Sequence, residues 1–228
     1  MSNKIVIKNI IKPFNKNIEI EGDKSLSIRW ALLASQSIGK STSTNLLKSD
    51  DVLNTLNCLK KLGLKIIQFK NKCEIYGTGI NKFGYKKNIT LNAGNSGTLA
   101  RLIMGLLVHS KNKIKIIGDK SLSKRDFLRV TKPLEKFGAK FTTNSGKLPV
   151  TIKGTKNPMP IRYVENRGSA QCKSAVMLAA LNTKGKTIIK AKKSRDHSEL
   201  LFKYLKIPIK TIKTNKYDLI EIEGKKKN

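Results

Sequence analysis

A β-like run closed by glycine occurs three times along this chain, each time after a charged amphipathic helix, and that recurrence limits the possible folds more than any single motif. The runs are Cys73-Glu74-Ile75-Tyr76-Gly77, Val150-Thr151-Ile152-Lys153-Gly154 and Ile220-Glu221-Ile222-Glu223-Gly224, their glycines 77 and 70 residues apart. Val52, Leu56 and Leu59, then Val130, Leu134 and Phe137, keep the i, i+4, i+7 spacing of one helical face, and the third helix, from His197, offers Leu201 and Leu205. Gly63 and Gly138 follow the first two helices as C-terminal glycines do, whereas the third runs into Lys206-Ile207-Pro208. Ahead of each charged helix lies a more apolar, small-residue helix (Ser25–Ile38, Ser96–His109, Ser169–Leu181), and a short strand follows each of these (around Ser43–Leu47, Ile114–Ile117, Thr187–Lys190). With one more strand ahead of each apolar helix, the unit is βαβαββ. One such unit cannot bury its own sheet face, and three packed together can. The pattern predicts an α/β (α+β) domain over residues 18–228, built of three βαβαββ repeats with internal pseudo-three-fold symmetry. The apolar helices would lie inside and the charged helices outside.

Some stretches fall outside this count. Lys4–Ile11 is strand-like but stands ahead of the first unit, separated from it by Pro13 and Asn15-Lys16-Asn17. The strands that would pair with it are expected to be absent from this chain. Lys225-Lys226-Lys227-Asn228 reads as a frayed tail. The octet Gly22-Asp23-Lys24-Ser25-Leu26-Ser27-Ile28-Arg29 returns as Gly118-Asp119-Lys120-Ser121-Leu122-Ser123-Lys124-Arg125, identical at seven of eight positions.

Composition narrows the partners. Ile, Leu, Val and Phe make up 65 of 228 residues, enough for a core despite a formal charge of +32. Of 47 cationic residues 40 are Lys, Asn numbers 19, and Ile outnumbers Val 26 to 7, the mark of AT-rich coding. Base reading favours Arg, and single-strand binding favours interleaved aromatics, which are only 6% here. The lysines are also spread along the whole chain, so the charge is read as compositional drift and a nucleic-acid partner is not expected. No apolar run approaches membrane length, and the longest, Leu99–Val108, contains Arg101. The start, MSNKIVIKNI, has no apolar signal core, so neither export nor membrane insertion is expected. Cys58, Cys73 and Cys172 form no CxxC or Cys/His cluster, which argues against a disulfide scaffold or a zinc site and fits a reducing cytoplasm.

The starts of the three apolar helices carry the chemistry. They read Asp23-Lys24-Ser25-Leu26-Ser27-Ile28-Arg29, Gly94-Asn95-Ser96-Gly97-Thr98-Leu99-Ala100-Arg101 and Arg167-Gly168-Ser169-Ala170-Gln171-Cys172-Lys173. Each joins an N-cap hydroxyl, free backbone N–H groups and a cation, the elements of an anion site. Ser123-Lys124-Arg125-Asp126 and Ser194-Arg195-Asp196-His197 are expected to put Arg125 and Arg195 in the first turns of outer helices. Cations there oppose the helix dipole unless they face a ligand. Ser49-Asp50-Asp51 is the favourable, structural arrangement. His197 stands in a first turn, where a lone histidine is more often structural than an acid–base group. No Ser/His/Asp constellation, phosphate-binding GxxxxGK[ST] loop or paired-carboxylate motif is visible, so the site points to a polyanionic small molecule without showing how a proton would move.

Taken in order, the motifs resemble the N-terminal half of the 5-enolpyruvylshikimate-3-phosphate synthase family, the 3-phosphoshikimate 1-carboxyvinyltransferases. They are Gly22-Asp23-Lys24-Ser25…Arg29, Asn45-Leu46-Leu47…Ser49-Asp50-Asp51-Val52, Gly94-Asn95-Ser96-Gly97-Thr98…Arg101, Gly118-Asp119…Ser121-Leu122…Lys124-Arg125, Leu148-Pro149-Val150…Gly154, Ser169-Ala170-Gln171…Lys173-Ser174 and Ser194-Arg195-Asp196-His197. The Ser-Ala-Gln and Ser-Arg-Asp-His forms look like the class found in many bacteria. The resemblance implies two domains of three βαβαββ units each, with shikimate 3-phosphate and phosphoenolpyruvate as substrates and no metal or organic cofactor. It implies that Lys24 touches both substrates and is the one catalytic candidate. By the same matching, Ser25, Arg29, Ser169, Ala170, Gln171 and Arg195 hold shikimate 3-phosphate, and Gly97, Arg125 and Gln171 hold phosphoenolpyruvate. Asp126 stands where many members have Pro. Family members are nearly twice as long, and the resemblance places the acid–base carboxylates in the other domain, to which it also assigns residues 1–17. This chain is then expected to be a fragment, a split gene product or a truncated form, inactive alone and completed by a C-terminal half from another chain. The alternatives are a related transferase acting on UDP-N-acetylglucosamine and a non-enzymatic, basic nucleic-acid-binding derivative; Lys-Ser-x-Ser-x-Arg and Ser-Ala-Gln favour shikimate 3-phosphate.

Overall fold

The computed structural model describes residues 6, 8, 10, 12–13, 15–85 and 88–224. The strand expected at Lys4–Ile11 and the C-terminal tail fall largely or wholly outside these residues. The described chain forms three successive blocks. The first is α1 (Lys24–Ala34), β1 (Ile38–Thr44), α2 (Asp50–Lys61), β2 (Lys65–Gln68) and β3 (Lys72–Thr78). The second is β4 (Ile89–Asn92), α3 (Gly97–Leu107), β5 (Ile114–Ile117), the short α4 (Lys120–Ser123), α5 (Leu128–Glu135), β6 (Lys140–Asn144) and β7 (Lys147–Lys153). The third is β8 (Arg162–Glu165), α6 (Ala170–Ala180), β9 (Gly185–Lys192), α7 (His197–Tyr204), β10 (Ile209–Lys213) and β11 (Tyr217–Gly224).

Each block makes its own sheet, and the strand order recurs: β4-β5-β7-β6 in the second and β8-β9-β11-β10 in the third. In both, the leading strand runs parallel to its neighbour and the remaining pairs are antiparallel. The first block repeats the order as β1-β3-β2, with no leading strand among the described residues. This corrects the expected βαβαββ of the first unit. Residues 18–22 run beside the end of β1, where Asn45 Nδ2 donates to the Ile20 carbonyl at 3.0 Å, without joining the sheet. Ile18 and Ile20 stay exposed, so pairing there would bring little apolar burial, whereas Leu91 of β4 is buried.

Two boundaries also differ from expectation. α1 stops at Ala34 rather than Ile38, because Ser35 Oγ donates to the Leu32 carbonyl at 2.6 Å and Ser37 Oγ to the Ala34 carbonyl at 2.8 Å, closing the helix end. The strand expected around Ser43–Leu47 therefore starts at Ile38 and ends where Asn45 turns left-handed (φ 55°). At the outer helices, Gly63 takes φ +92° just past α2, and Lys206 takes the same left-handed position past α7 without a glycine.

Burial follows the apolar pattern. α3 is buried along its whole length, and α1 and α6 bury most of theirs. Gly105 lets α3 lie against α6: a side chain there would overlap the Ala175 carbonyl oxygen. α2 buries Val52, Leu56 and Leu59 and α5 buries Val130 and Leu134, leaving charged faces to solvent. The repeated octet is out of step with the blocks: its first copy opens α1, an inner helix, and its second opens α4, ahead of an outer one. What the copies share is a cap, since Asp23 and Asp119 each accept a hydrogen bond at 2.7 Å from the backbone N–H of the Leu three residues on.

Candidate functional site: linked helix starts

Hydrogen bonds tie the starts of α1, α3, α6 and α7 to one another. Arg29, in the second turn of α1 and 5% exposed, donates through Nε to Ser198 Oγ at 2.8 Å, through Nη2 to Ser174 Oγ at 3.2 Å and through Nη1 to the Ser25 carbonyl at 3.0 Å. Ser174 Oγ and Ser198 Oγ are themselves 2.6 Å apart, joining α6 to α7. Gln171 joins α6 to α3: its Nε2 donates to Thr98 Oγ1 at 3.0 Å and its Oε1 accepts from Arg101 Nη1 at 2.8 Å. Arg101 Nη2 also donates to the Asp126 carbonyl at 3.3 Å, and its guanidinium lies over the Phe127 ring. Arg125 Nη2 donates to Asn95 Oδ1 at 3.0 Å, and Asn95 Nδ2 to Asp119 Oδ2 at 2.6 Å.

Ser96 and Ser169 cap α3 and α6, as expected of them, accepting from Leu99 and Cys172 N–H at 3.2 and 3.3 Å. Ser25 is not a cap: α1 begins one residue before it, and the Asp23 carboxylate holds that position. Neither Arg125 nor Arg195 lies in a first turn, contrary to expectation. Arg125 falls in the loop between α4 and α5, and Arg195 precedes the N-cap Asp196 of α7, so neither guanidinium is locked against a helix dipole. Both are exposed, as is Lys24, whose Nζ rests 3.2 Å from Asp51 Oδ2. Ser25, Ser169, Ala170 and Gln171 are half-buried, and Gly97 is buried.

Positive potential gathers at the start of α3. A Cβ on Gly97 would stand 2.7 Å from Arg101 Nη1 and 3.1 Å from Arg125 Nη1, so the bare backbone leaves room for two guanidinium groups at a helix end that already favours anions. Burial lowers the pKa of Arg101, and the neighbouring cations Arg129 and Arg125 push the same way. Burial likewise lowers that of Arg29, against which Glu199 and Asp23 favour the charged form. The nearby carboxylates are already engaged. Asp23 caps α1, Asp126 Oδ1 accepts from Leu128 N–H at 2.8 Å, and Asp196 bonds Lys213 at 2.9 Å, which holds its pKa below the ordinary value. Glu165 accepts from the N–H groups of Arg167 and Ser169 at 3.1 and 2.8 Å, shaping the loop into α6. Among the described residues no group of three or more His, Cys, Asp or Glu is placed to hold a metal ion. This end of the molecule can bind and orient an anion, and its own carboxylates are committed to structure. Asn95, Thr98 and Ser174 stand in the sequence motifs without an assigned role and Ser198 in none; tertiary pairing alone reveals what they bond.

The EPSP synthase (3-phosphoshikimate 1-carboxyvinyltransferase) family model matches residues 8–228. This chain belongs to the EPSP synthase family. Relatives named 3-phosphoshikimate 1-carboxyvinyltransferase include one from Paracoccus denitrificans (strain Pd 1222), 38% identical over 216 residues that cover 93% of this chain and 48% of the relative. One from Ruthia magnifica subsp. Calyptogena magnifica is 42% identical over 201 residues, covering 86% and 46%. A solved EPSP synthase from Acinetobacter baumannii superimposes with a TM-score of 0.83 at 32% identity, covering 92% of this chain and 47% of that one. The chain thus spans about half the length of the EPSP synthases it matches.

Proposed function

We propose that this chain forms the substrate-anchoring half of a 3-phosphoshikimate 1-carboxyvinyltransferase, which moves the enolpyruvyl group of phosphoenolpyruvate to the 5-hydroxyl of shikimate 3-phosphate. The observation that carries the reading is the gathering of Arg101, Arg125 and Gly97 at the start of α3, linked through Gln171 to α6. Two anionic substrates suit a surface of helix N-termini and guanidinium groups. In this reading Ser25, Arg29, Ser169, Ala170, Gln171 and Arg195 hold shikimate 3-phosphate, and Gly97, Arg125 and Gln171 hold phosphoenolpyruvate. Lys24 reaches both by leaving Asp51, an exchange that costs little for an exposed ion pair. The reaction also needs an acid and a base within hydrogen-bond reach of the reacting atoms. We assign those to a C-terminal half, in whose domain residues 1–17 would also lie, with residues 18–228 forming the three-repeat domain. A reducing cytoplasm fits three free, buried cysteines.

Calorimetric titration of the purified chain tests this. Shikimate 3-phosphate should bind more tightly than shikimate, and duplex DNA binding should collapse between low and high salt. Tighter binding of UDP-N-acetylglucosamine, or no preference for the phosphorylated shikimate, would overturn the reading. Phosphate release from phosphoenolpyruvate should appear only when a separately expressed C-terminal half is added; turnover by the chain alone would show that the acid and base lie here.

A further inference from the structure

Lys173 and Glu199 are both removed from solvent, at 0% and 3% side-chain exposure, with Nζ 2.5 Å from Oε1. Lys173 sits in the first turns of α6 and Glu199 in the first turn of α7. Stability does not account for such a pair, because stripping two charges of water offsets their attraction, and apolar residues of similar volume often serve as well. Their neighbours suggest another role. Ser174 follows Lys173 and Ser198 precedes Glu199, and these hydroxyls bond each other and accept from Arg29. α7 has eight residues and buries only Ser198, Glu199 and Phe202, so the ion pair is a main contact fixing its roll and depth. The start of α6 carries Ser169, Ala170 and Gln171; Arg195 leads into α7.

We infer that Lys173 and Glu199 are positioning residues: their buried ion pair sets α7 against α6, and so sets the distance between Arg195 and the Ser169–Gln171 helix start that must close on one phosphorylated ligand. The inference rests on the proposed assignment of Arg195 and Ser169 to shikimate 3-phosphate. Neither side chain touches the ligand. The Arg29 guanidinium, braced by the same two serines, is held by the same clamp, and Glu199 offsets the cost of burying its charge.

The test has a binding arm and a ligand-free arm on the full chain. Lys173→Met/Glu199→Leu replaces the pair with apolar residues and should unfold at the wild-type temperature or above. Its Kd for shikimate 3-phosphate should nevertheless rise about tenfold, the scale at which residues that touch no ligand alter a site. Glu199→Asp, which keeps both charges but withdraws the carboxylate by one methylene, should weaken binding in the same direction. Wild-type affinity in both variants would overturn the inference. Without ligand, Lys173→Met leaves Glu199 unpaired, so the α7 amides should exchange with solvent at least severalfold faster while the α3 amides hold. Unchanged α7 exchange would overturn the clamp by itself. If the wild-type chain does not bind shikimate 3-phosphate, the functional reading fails, and the exchange result still judges the clamp.

Discussion

Replacing Gly105 by Ala tests how closely the two innermost helices must approach. An added methyl would overlap the Ala175 carbonyl oxygen and stand 2.9 Å from its carbon and 3.1 Å from the Ala175 Cα. Carbon atoms pack best at about 3.5–4.0 Å, so α3 and α6 must part by roughly half an ångström or more. The obstacle is backbone of a mostly buried helix, so it cannot swing aside. Overpacking of this kind costs about 1–3 kcal/mol, and a clash with backbone belongs at the upper end. Alanine returns about 1 kcal/mol through its better helix propensity. The net loss is then about 2 kcal/mol, which for a chain of this size lowers Tm by about 4–8 °C. Thermal unfolding followed by circular dichroism measures it. The same separation should stretch the 2.8 Å bond from Arg101 to Gln171, so shikimate 3-phosphate affinity should fall as well. An unchanged or raised Tm would refute the reasoning, since alanine's helix propensity would then outweigh any loss of contact between the two helices.

Lys24→Ala, Arg29→Ala and Arg195→Ala should each weaken shikimate 3-phosphate binding by about 1.5–3 kcal/mol in calorimetry, the worth of a charged hydrogen bond. Only Arg29→Ala should also lower Tm, because it alone is tied to three protein groups. Neutralising the exposed lysines Lys60, Lys61 and Lys136 to Gln should leave metabolite affinity nearly intact, as salt screens exposed charges over about 10 Å at 0.1 M; a loss matching that of Arg29→Ala would show that the overall field outweighs the site. Burial pushes the Cys58 thiol up to about 11, its Sγ donating to the Asn92 carbonyl at 3.3 Å. The folded state therefore keeps a proton that the unfolded thiol releases above its ordinary value of 9.0. That contribution is complete below pH 9 and is lost as pH rises toward 11, so Tm should fall more steeply over this range in the wild type than in Cys58→Ala.

The family and most of the order of elements were legible in the sequence because each depends on local pattern. Helical stripes such as Val52, Leu56 and Leu59 reflect which face meets the core, and Ser96 and Ser169 are caps because a hydroxyl satisfies free N–H groups within its own turn. Where two local acceptors competed, the reading failed: Asp23 takes the cap of α1 and leaves Ser25 inside the helix. The seven-of-eight octet match was a matter of shared capping chemistry, and only the sheets showed that its copies occupy unlike places. Tertiary structure decided the rest. Arg29 reads from sequence as a ligand-facing cation, and only the structure adds that three of its five N–H groups also brace Ser25, Ser174 and Ser198, the latter two 145 and 169 positions away. The Lys173–Glu199 pair carries no sequence signal as a contact, because charges on different helices acquire a partner only when packing removes the water between them. Local spacing thus set most of the helices, strands and caps of this chain, while long-range packing chose which of its charges stay exposed and which are buried to hold the helix starts together.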